Sequence, residues 1–363
     1  MKRAVVAMSG GVDSSTALAL LKKEGYDCIG VTMQLWDYSK KEDPSGATSG
    51  SCCSLDDIHD ARGVACKLGV PFYVVNVEEA FSREVVDYFI DGYSKGSTPN
   101  PCVKCNQVLK FEVLLEKALS LEADFLATGH YARIVNDADG TRLLKGADPA
   151  KDQSYFLFTM TGEQLKRVLF PLGGFRKEDV RAIAREMGLK TSDKKESQDI
   201  CFVEEPGYAD FLSSRIPHGA GAGEIVDMNG RALGTHRGLY NYTIGQRKGL
   251  NLSGGPFYVL DMDASNNRLV VGPAGELYAG GLVAVEVNWI NERARESAER
   301  GELKVSSKIR YRHPGALSLV SFSSGRARVR FIEPQKAVTP GQAVVFYDDE
   351  EVVGGGWIER VQR

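Results

Sequence analysis

Short apolar runs alternate with amphipathic stretches through the first 135 residues. Runs such as "RAVVAM", "DCIGVTMQLW" and "PFYVVNV" have the length of buried strands, whereas "STALALLKKE", "DIHDARGVACKL" and "EEAFSREVVDYFIDGYS" have the apolar spacing of helices. A loop is predicted over 97–106, then a helix over "QVLKFEVLLEKALSLEA" and a single strand over "DFLATGHYARI". Strands separated by helices predict a parallel sheet with helices on both faces, in which ligands bind beyond the carboxyl ends of the strands.

The pattern changes from about residue 215. Short alternating runs such as "FYVLDMD", "NRLVVG" and "RARVRFIE" are separated by Gly, Asn, Asp and Pro, which predicts an all-β region with a hairpin at "DASNN" and a small closed barrel at the end. The predicted fold is therefore α/β: an N-terminal parallel-sheet domain over 1–205, a small central domain over 206–275 and a C-terminal β-barrel over 276–363.

Composition narrows the class of protein. The chain has 363 residues, 43% apolar and 26% charged, and no apolar run approaches the roughly 20 residues that span a bilayer. The N-terminus lacks the long apolar region of a signal peptide, so we expect a cytoplasmic protein without a membrane partner. Seven cysteines, an odd number in a large chain, argue against a disulfide framework. Cys28 and Cys66 lie in apolar runs and are predicted to be core residues.

The net charge of −3 conceals a basic segment. Residues 301–345 carry eight Lys or Arg against two Glu, a local net charge of +6. Such a surface suits a polyanion, although a solvated sheet face would have the same composition.

A glycine-rich loop, "AMSGGVDSS" at 7–15, lies between the first predicted strand and the first helix. It matches neither the Walker A pattern nor the Rossmann fingerprint. Its glycines can turn backbone amides toward an anion, which the following helix N-terminus also favours. Ser9, Ser14 and Ser15 can donate hydroxyls, and Asp13 would be explained if it oriented a Mg²⁺ ion.

The string "SGGVDSS" resembles the loop of enzymes that cleave ATP to AMP and pyrophosphate while adenylating a carbonyl oxygen. The rest of the chain narrows the resemblance. "GVTMQLW", "TPNPCVKCNQVLKF", "ATGHYAR", "KDQSYFLF", "SQDICFV", "YTIGQRKGL" and "PGQAVVFYD" occur in the order and spacing of the bacterial tRNA-specific 2-thiouridylases, and the resemblance covers essentially the whole chain.

The resemblance implies ATP-dependent replacement of the 2-carbonyl oxygen of the wobble uridine by sulfur. The oxygen is adenylated to make AMP the leaving group, and sulfur arrives on a cysteine persulfide. By the family motifs, Cys201 in "SQDICFV" carries the persulfide and Cys105 in "NPCVKCN" attacks it, which leaves a Cys105–Cys201 disulfide. A donor protein, a cysteine desulfurase or a sulfur-relay protein, must load Cys201.

The resemblance also assigns binding residues. For ATP, which Mg²⁺ accompanies without a dedicated protein metal site, the matching positions are Ala7, Met8, Ser9, Gly10, Gly11, Val12, Asp13, Ser14, Met33 and Gly129. For the tRNA anticodon stem-loop they are Asn100, Pro101, Cys102, His130, Lys151, Asp152, Gln153, Arg310, Tyr311 and Gln342, with Arg247 and Lys248 as further phosphate contacts. The target base would be turned out of its stack into a pocket beside Asn100 and Pro101.

One position departs from the family. Many relatives carry aspartate where this chain has Cys102, and a thiol with an ordinary pKa of about 8.5 is a weaker base at neutral pH. Other interpretations of Cys102 and Cys105 are half of a zinc site, with Cys52 and Cys53 as the other half, or a thioredoxin-like dithiol. Cys52 and Cys53 otherwise receive no role.

Two other functions are compatible with parts of this pattern. An ATP-dependent ligase for a small carbonyl substrate would explain the glycine loop but not the basic β-rich region. A zinc-stabilised RNA-binding module would explain the cysteines and the basic charge without catalysis.

Overall fold

The computed structural model describes residues 1–36, 55–138, 140–195, 200–203, 207–216, 221–301 and 303–363. These residues fall into two units. The first comprises Met1–Val85, Cys102–Glu204 and Glu350–Val352, and the second comprises Val86–Pro101, Glu205–Asp349 and Val353–Arg363. Cys52 and Cys53, the proposed second half of a zinc site, lie outside the described residues.

A five-stranded parallel sheet forms the centre of the first unit. Its strands are β1 (Arg3–Ala7), β2 (Asp27–Gln34), β3 (Phe72–Asn76), β4 (Phe125–Ala127) and β7 (Val168–Leu169), in the order β3-β2-β1-β4-β7. An antiparallel hairpin is made by β5 (Ala132–Asp137) and β6 (Gly140–Lys145), and Leu144 of β6 pairs with Glu351. The predicted parallel sheet is therefore confirmed.

Helices lie between these strands along the chain. They are α1 (Val12–Lys23), α2 (Leu55–Lys67), α3 (Glu78–Phe81), α4 (Asp87–Ser94), α5 (Pro101–Cys105), α6 (Leu115–Ser120), α7 (Gly162–Leu165) and α8 (Lys177–Glu186). π-helical turns join α3 to α4 (Ser82–Val86) and α5 to α6 (Asn106–Leu114). One core cluster packs Val6 and Met8 of the central strand region against Leu18 of α1 and Val64 of α2.

The second unit contains two β-structures. A four-stranded sheet has the order β10-β11-β8-β9, from β8 (Gly223–Val226), β9 (Ala232–His236), β10 (Tyr258–Asp263) and β11 (Arg268–Gly272). The antiparallel pairing of β10 with β11 confirms the hairpin predicted at "DASNN". Helix α9 (Tyr208–Ser213) precedes this sheet.

The C-terminal strands form a closed barrel. They are β12 (Tyr278–Trp289), β13 (Leu303–Lys308), β14 (Ala316–Ser323), β15 (Arg326–Lys336), β16 (Ala343–Asp348) and β17 (Glu351–Gln362). The barrel closes because β12 pairs with both β15 and β17. Leu282, Val320, Val329 and Phe346 are fully or almost fully buried in its core. The predicted closed barrel is confirmed.

Four sequence predictions were wrong in detail. The loop predicted over 97–106 ends at Pro101, where a helix begins, because the fixed φ of proline suits the first helical position. "DFLATGHYARI" is not one strand but contributes β4 and β5 to different sheets. The β-rich half contains helix α10 (Glu292–Glu299), whose Ala294 and Ala298 enter the barrel core. Cys66 is exposed on α2 rather than buried in the core.

Among the described residues, none of the helices combines the length and the apolar character that crossing a bilayer demands.

Candidate active site

The glycine loop lies at the carboxyl end of β1, where the strand order reverses. Strand β2 pairs with one side of β1 and β4 with the other, so the loop occupies the topological switch point at which open α/β sheets bind ligands. Gly10 has φ +71°, and a Cβ there would lie 2.2 Å from the carbonyl oxygen of Asp57. Only glycine meets both conditions, which fixes the loop against the first turn of α2.

Internal hydrogen bonds hold the loop in shape. The Ser9 amide donates to Ser14 Oγ at 3.1 Å, and the Ser15 hydroxyl donates to the Gly11 carbonyl at 2.8 Å. The loop leads directly into α1, whose first-turn amides and helix dipole favour an anion.

The residues predicted to bind ATP lie at one edge of the sheet. Met33 is the penultimate residue of β2 and Gly129 follows β4, so both reach the carboxyl edge that carries residues 7–14. A Cβ on Gly129 would lie 2.9 Å from the carbonyl carbon of Asp13 and the nitrogen of Ser14. The two loops on either side of the switch point are therefore in close backbone contact.

Asp13 is engaged by two residues that the sequence interpretation missed. Lys177 Nζ donates to its two carboxylate oxygens at 2.7 and 2.8 Å, and the Tyr131 hydroxyl donates to Oδ1 at 2.7 Å. The Lys177 side chain is only 11% exposed, and its ammonium lies 5.5 Å from the centre of the Tyr131 ring. Lys177 is the first residue of α8 and 164 positions from Asp13, so local sequence patterns carry no signal for the pair.

This arrangement bears on the magnesium role predicted for Asp13. An ammonium group stands beside the carboxylate, and the role of Asp13 in orienting Mg²⁺ stays a prediction. The described residues also contain no group of three or more His, Cys, Asp or Glu side chains suited to a metal ion.

Cys102 and Cys105 lie on the short helix α5, near its start and at its end. Helix α5 begins at Pro101, and residues three apart lie on the same helical face. Cys102 is exposed and Cys105 is half-buried, whereas the intervening Val103 is completely buried and anchors the turn. The next residue, Asn106, donates from Nδ2 to the Phe156 carbonyl at 3.2 Å and holds the start of the π-helical turn.

Cys201 belongs to the same unit and is half-buried. Its neighbour Phe202 is 5% exposed and packs in an aromatic trio, with ring centroids 5.7 Å from Phe81 and 6.5 Å from Trp36. Phe81 is completely buried, so the trio ties the backbone next to Cys201 to the core.

A second anchor precedes Cys201 in the chain. Lys194 Nζ donates to Asp57 Oδ1 at 2.7 Å and to Asp60, both on α2. Although burial opposes the shift, these hydrogen bonds raise the pKa of Lys194. Arg181 of α8 donates to the carbonyls of Ser192 and Lys194 at 2.6 and 3.1 Å. Asp57 therefore adjoins both the glycine loop and the segment that leads to Cys201.

Several residues predicted to contact tRNA have structural partners in the first unit. His130 is 8% exposed, with Nδ1 2.7 Å from the Thr128 hydroxyl, and burial, aided by Lys110, holds the pKa of His130 well below its usual value. Asp152 accepts from the amides of Gly146 and Ser154 at 3.0 and 3.1 Å. Gln153 Oε1 accepts from the Tyr131 amide at 3.0 Å, while Lys151 is half-buried.

The remaining predicted tRNA residues belong to the second unit. Gln342 Nε2 donates to the Thr98 carbonyl at 2.8 Å, and the Thr98 amide donates to the Pro340 carbonyl at 3.0 Å. A Cβ on Gly341 would come within 3.0 Å of the Thr98 backbone. The barrel loop that contains Gln342 thus holds the segment carrying Asn100 and Pro101.

Arg310 and Tyr311 follow β13 at one end of the barrel. The Arg310 guanidinium donates to the Lys336 carbonyl at 3.3 Å, at the last residue of β15. Arg310 is exposed and Tyr311 is half-buried.

Three family models match the chain. They are described as the tRNA methyl transferase HUP domain over 2–205, the tRNA methyl transferase PRC-barrel domain over 209–273 and the aminomethyltransferase beta-barrel domain over 279–358.

Curated relatives align with almost the whole chain. The tRNA-specific 2-thiouridylase MnmA of Geobacter metallireducens is 56% identical over 99% of this chain and 97% of its own length. The tRNA-specific 2-thiouridylase MnmA of Geotalea uraniireducens is 55% identical over 99% of this chain and 95% of its own length. The tRNA-specific 2-thiouridylase MnmA of Magnetococcus marinus is 52% identical over 98% of this chain and 99% of its own length. The names of these full-length relatives refer to thiolation, whereas two of the domain descriptions refer to methyl transfer. By its identity to these relatives over almost its whole length, this chain belongs to the tRNA-specific 2-thiouridylase family.

Proposed function

We propose that this protein is an ATP-dependent tRNA sulfurtransferase that converts the wobble uridine to 2-thiouridine. The observation that carries the proposal is the placement of the glycine loop at the sheet's switch point, in the same unit as Cys105 and Cys201. The family models support the three-domain division proposed from the sequence, with adenylation and sulfur transfer over 1–205, a central domain over 206–275 and a tRNA-binding barrel over 276–363.

The first step is adenylation of the uridine. The 2-carbonyl oxygen attacks the α-phosphorus of ATP, pyrophosphate leaves, and the oxygen becomes part of an AMP leaving group. The amides of residues 9–14 and the N-terminus of α1 would bind the phosphates, with Met33 and Gly129 at the adenine side. Magnesium is expected as the counterion that ATP carries, and no protein ligand is assigned to it.

The second step delivers sulfur. The terminal sulfur of a Cys201 persulfide attacks C2 and displaces AMP, which joins the base to Cys201 through two sulfur atoms. The Cys105 thiolate then attacks Cys201 Sγ, the sulfur–sulfur bond breaks toward the base, and 2-thiouridine leaves. The two electrons come from the pair of thiols, which ends as a Cys105–Cys201 disulfide. An external thiol must reduce that disulfide, and a sulfur donor protein must reload Cys201.

Recognition of the anticodon stem-loop is assigned to both units. Asn100, Pro101 and Cys102 would face the extruded base, and Gln342 supports this segment through Thr98. The other proposed contacts are His130, Lys151, Asp152, Gln153, Arg310 and Tyr311. His130, Asp152 and Gln153 are already bonded within the fold, so they would act chiefly by shaping the surface.

The test is 2-thiouridine formation in unmodified tRNA with ATP and a persulfide source, measured by nucleoside mass spectrometry. Cys105→Ser and Cys201→Ser should each abolish the product, whereas Cys102→Ser should retain part of the activity. Cys66→Ser, which alters an exposed cysteine on α2, is the matched control and should remain fully active. Full activity of Cys105→Ser or Cys201→Ser would refute the assigned roles.

Pyrophosphate release separates the two steps. Both cysteine variants should still release pyrophosphate when tRNA and ATP are present, because adenylation precedes sulfur transfer. Absence of tRNA-dependent pyrophosphate release from the unaltered protein would refute the adenylation step.

A further inference from the structure

An arginine-lined groove lies on the outer face of the C-terminal barrel. Its volume is about 400 Å³, and it is lined by Val283, Arg326, Arg328, Glu359 and Arg360. These residues come from three neighbouring strands, β12, β15 and β17. Arg326 and Arg328 belong to the basic segment at 301–345, whereas Arg360 lies outside it and is brought beside them by strand pairing.

Strand register explains the groove. Along β15, Arg326, Arg328 and Arg330 are exposed while the alternate residues are buried in the barrel. Val283 of β12 is directly opposite Arg328 on one side and Arg360 on the other, so the three side chains share the outer face. Val283 is nevertheless only 2% exposed, because it forms the apolar floor beneath the arginine stems.

The groove carries uncompensated positive charge. Arg326 pairs with Glu359 at 3.1 Å. The described part of the chain places no carboxylate within ion-pairing distance of Arg328, Arg330 or Arg360. The exposed Lys304 of β13 extends the surface, since it is opposite Leu319, which in turn is opposite Arg330.

This surface is distant from the proposed anticodon contacts. Arg310 bonds to Lys336 at the last residue of β15, whereas Arg326 is the first residue of that strand. Strand β15 bulges between Arg330 and Gln335, and β12 covers the stretch opposite Lys336 to Ala327 between Tyr278 and Ala284, six residues or about 20 Å. The groove and the Arg310 region therefore form two separate basic surfaces of the barrel.

We propose that the groove is a second tRNA-binding surface, which binds backbone phosphates outside the anticodon stem-loop. The inference rests on the proposed function. Guanidinium groups bind phosphate oxygens through two parallel hydrogen bonds. Alternate residues of a strand are about 6.8 Å apart, which suits contacts to successive phosphates of one RNA strand.

The chemistry of the lining favours RNA over an acidic protein. The cores of protein interfaces are enriched in aromatic residues, and the groove lining contains none. On the adjacent strand β14, Ser321 is opposite Arg328 and Ser323 is opposite Arg326. The hydroxyls of these serines can donate to phosphate oxygens.

The experiment compares the triple variant Arg328→Gln/Arg330→Gln/Arg360→Gln with the unaltered protein. Arg231→Gln, which alters an exposed arginine elsewhere in the second unit, is the control. Binding of full-length unmodified tRNA and of an isolated anticodon stem-loop is measured by filter binding between 50 and 300 mM KCl. Circular dichroism and thermal melting verify folding of every variant.

For full-length tRNA, the triple variant should make the slope of log K against log salt less negative by about 2 to 3, one counterion-release increment per lost contact. Its affinity for the stem-loop should equal that of the unaltered protein. An unchanged slope for full-length tRNA, or equal losses for both RNAs, would overturn the inference. Normal tRNA binding with impaired loading of Cys201 by a donor protein would also overturn it, in favour of a protein-docking surface.

Failure of the proposed function and failure of the second surface give different results. If the unaltered protein neither binds nor thiolates tRNA, the sulfurtransferase assignment fails and the second surface fails with it. If the unaltered protein is active and the triple variant has an unchanged salt slope, only the second surface is wrong.

Discussion

Replacement of Lys177 by methionine removes the cation that holds Asp13. Methionine keeps most of the side-chain volume, so the main loss is the ion pair between Nζ and the two carboxylate oxygens. The Tyr131 hydroxyl remains as a partner of Asp13. Because Asp13 lies in the first turn of α1, directly after the glycines, its displacement should also alter the proposed phosphate-binding loop.

Burial sets the expected magnitude. Breaking one side of a buried ion pair costs about 3 to 5 kcal/mol, whereas exposed pairs contribute about 1 kcal/mol or less. The Lys177 side chain is 11% exposed and that of Asp13 is 32% exposed. The carboxylate left by Lys177→Met keeps solvent, the Tyr131 hydroxyl and the α1 N-terminus, so we expect a loss of about 2 kcal/mol in the free energy of unfolding. Asp13→Asn leaves the more buried ammonium unpaired and should cost about 3 kcal/mol.

The assay is a double-mutant cycle read by thermal unfolding. A loss of about 2 kcal/mol corresponds to a fall of about 4 to 8 °C in Tm for a domain of this size class. The double variant should lose about 3 kcal/mol rather than the sum of the two single losses, a coupling of about 2 kcal/mol. Lys166→Met is the matched control, because Lys166 pairs with Glu163 at the same 2.7 Å but on the surface, and its Tm should hardly change.

Additive losses in the cycle would refute the reasoning, since they would mean that the pair is not coupled. So would a Tm for Lys177→Met equal to that of Lys166→Met. In the same samples, tRNA-dependent pyrophosphate release should fall in Lys177→Met and persist in Lys166→Met.

Three further predictions follow from burial and close contact. Gly129→Ala should weaken ATP binding by about tenfold or more, because the new methyl group would lie 2.9 Å from the backbone of the glycine loop, whereas Gly174→Ala, which meets nothing within 4 Å, should bind ATP normally. Burial and a nearby lysine lower the pKa of His130 in the folded state. As the pH falls below about 6.5, the imidazole is therefore protonated in the unfolded chain before it is protonated in the folded protein, and the free energy of unfolding should decrease. Urea unfolding between pH 7.5 and 5 should show a smaller loss of stability for His130→Gln than for the unaltered protein. An equal loss of stability would contradict the assignment. Phe202→Ala should lower the free energy of unfolding by about 3 to 5 kcal/mol and accelerate alkylation of Cys201, whereas Phe202→Leu should keep most of the stability and most of the protection of the thiol. Unchanged alkylation in the alanine variant would show that the aromatic trio does not restrain Cys201.

The sequence predicted those parts of the fold that depend on local pattern. The strands of the parallel sheet are apolar runs bounded by helices, and "DASNN" is flanked by alternating residues, so both emerge from spacing alone. The start of α5 was missed because Pro-rich stretches suggest loops, although proline is also favoured at a helix start. The end of β4 was missed because "ATGHY" is apolar enough to continue a strand, while its glycine instead packs against Asp13.

The candidate site was predictable only where a motif carried it. The loop 7–15 and the cysteines were found by their strings, since each string is contiguous. Lys177 and Arg360 were not found, because their partners, Asp13 and Arg328, are brought near them by tertiary packing and strand register respectively. Neither relation leaves a signal in the local sequence.

The boundary between the two units falls inside the motif "NPCVKC", between Pro101 and Cys102. A fragment ending at residue 205 would therefore keep the glycine loop and both reactive cysteines, yet it would lack Pro340 and Gln342, which hold the Thr98 backbone. Such a fragment would carry the segment that is proposed to face the base, but without the hydrogen bonds that hold its backbone. Any ancestor of this protein in which an adenylating domain acted without the barrel must have supported that segment by other means.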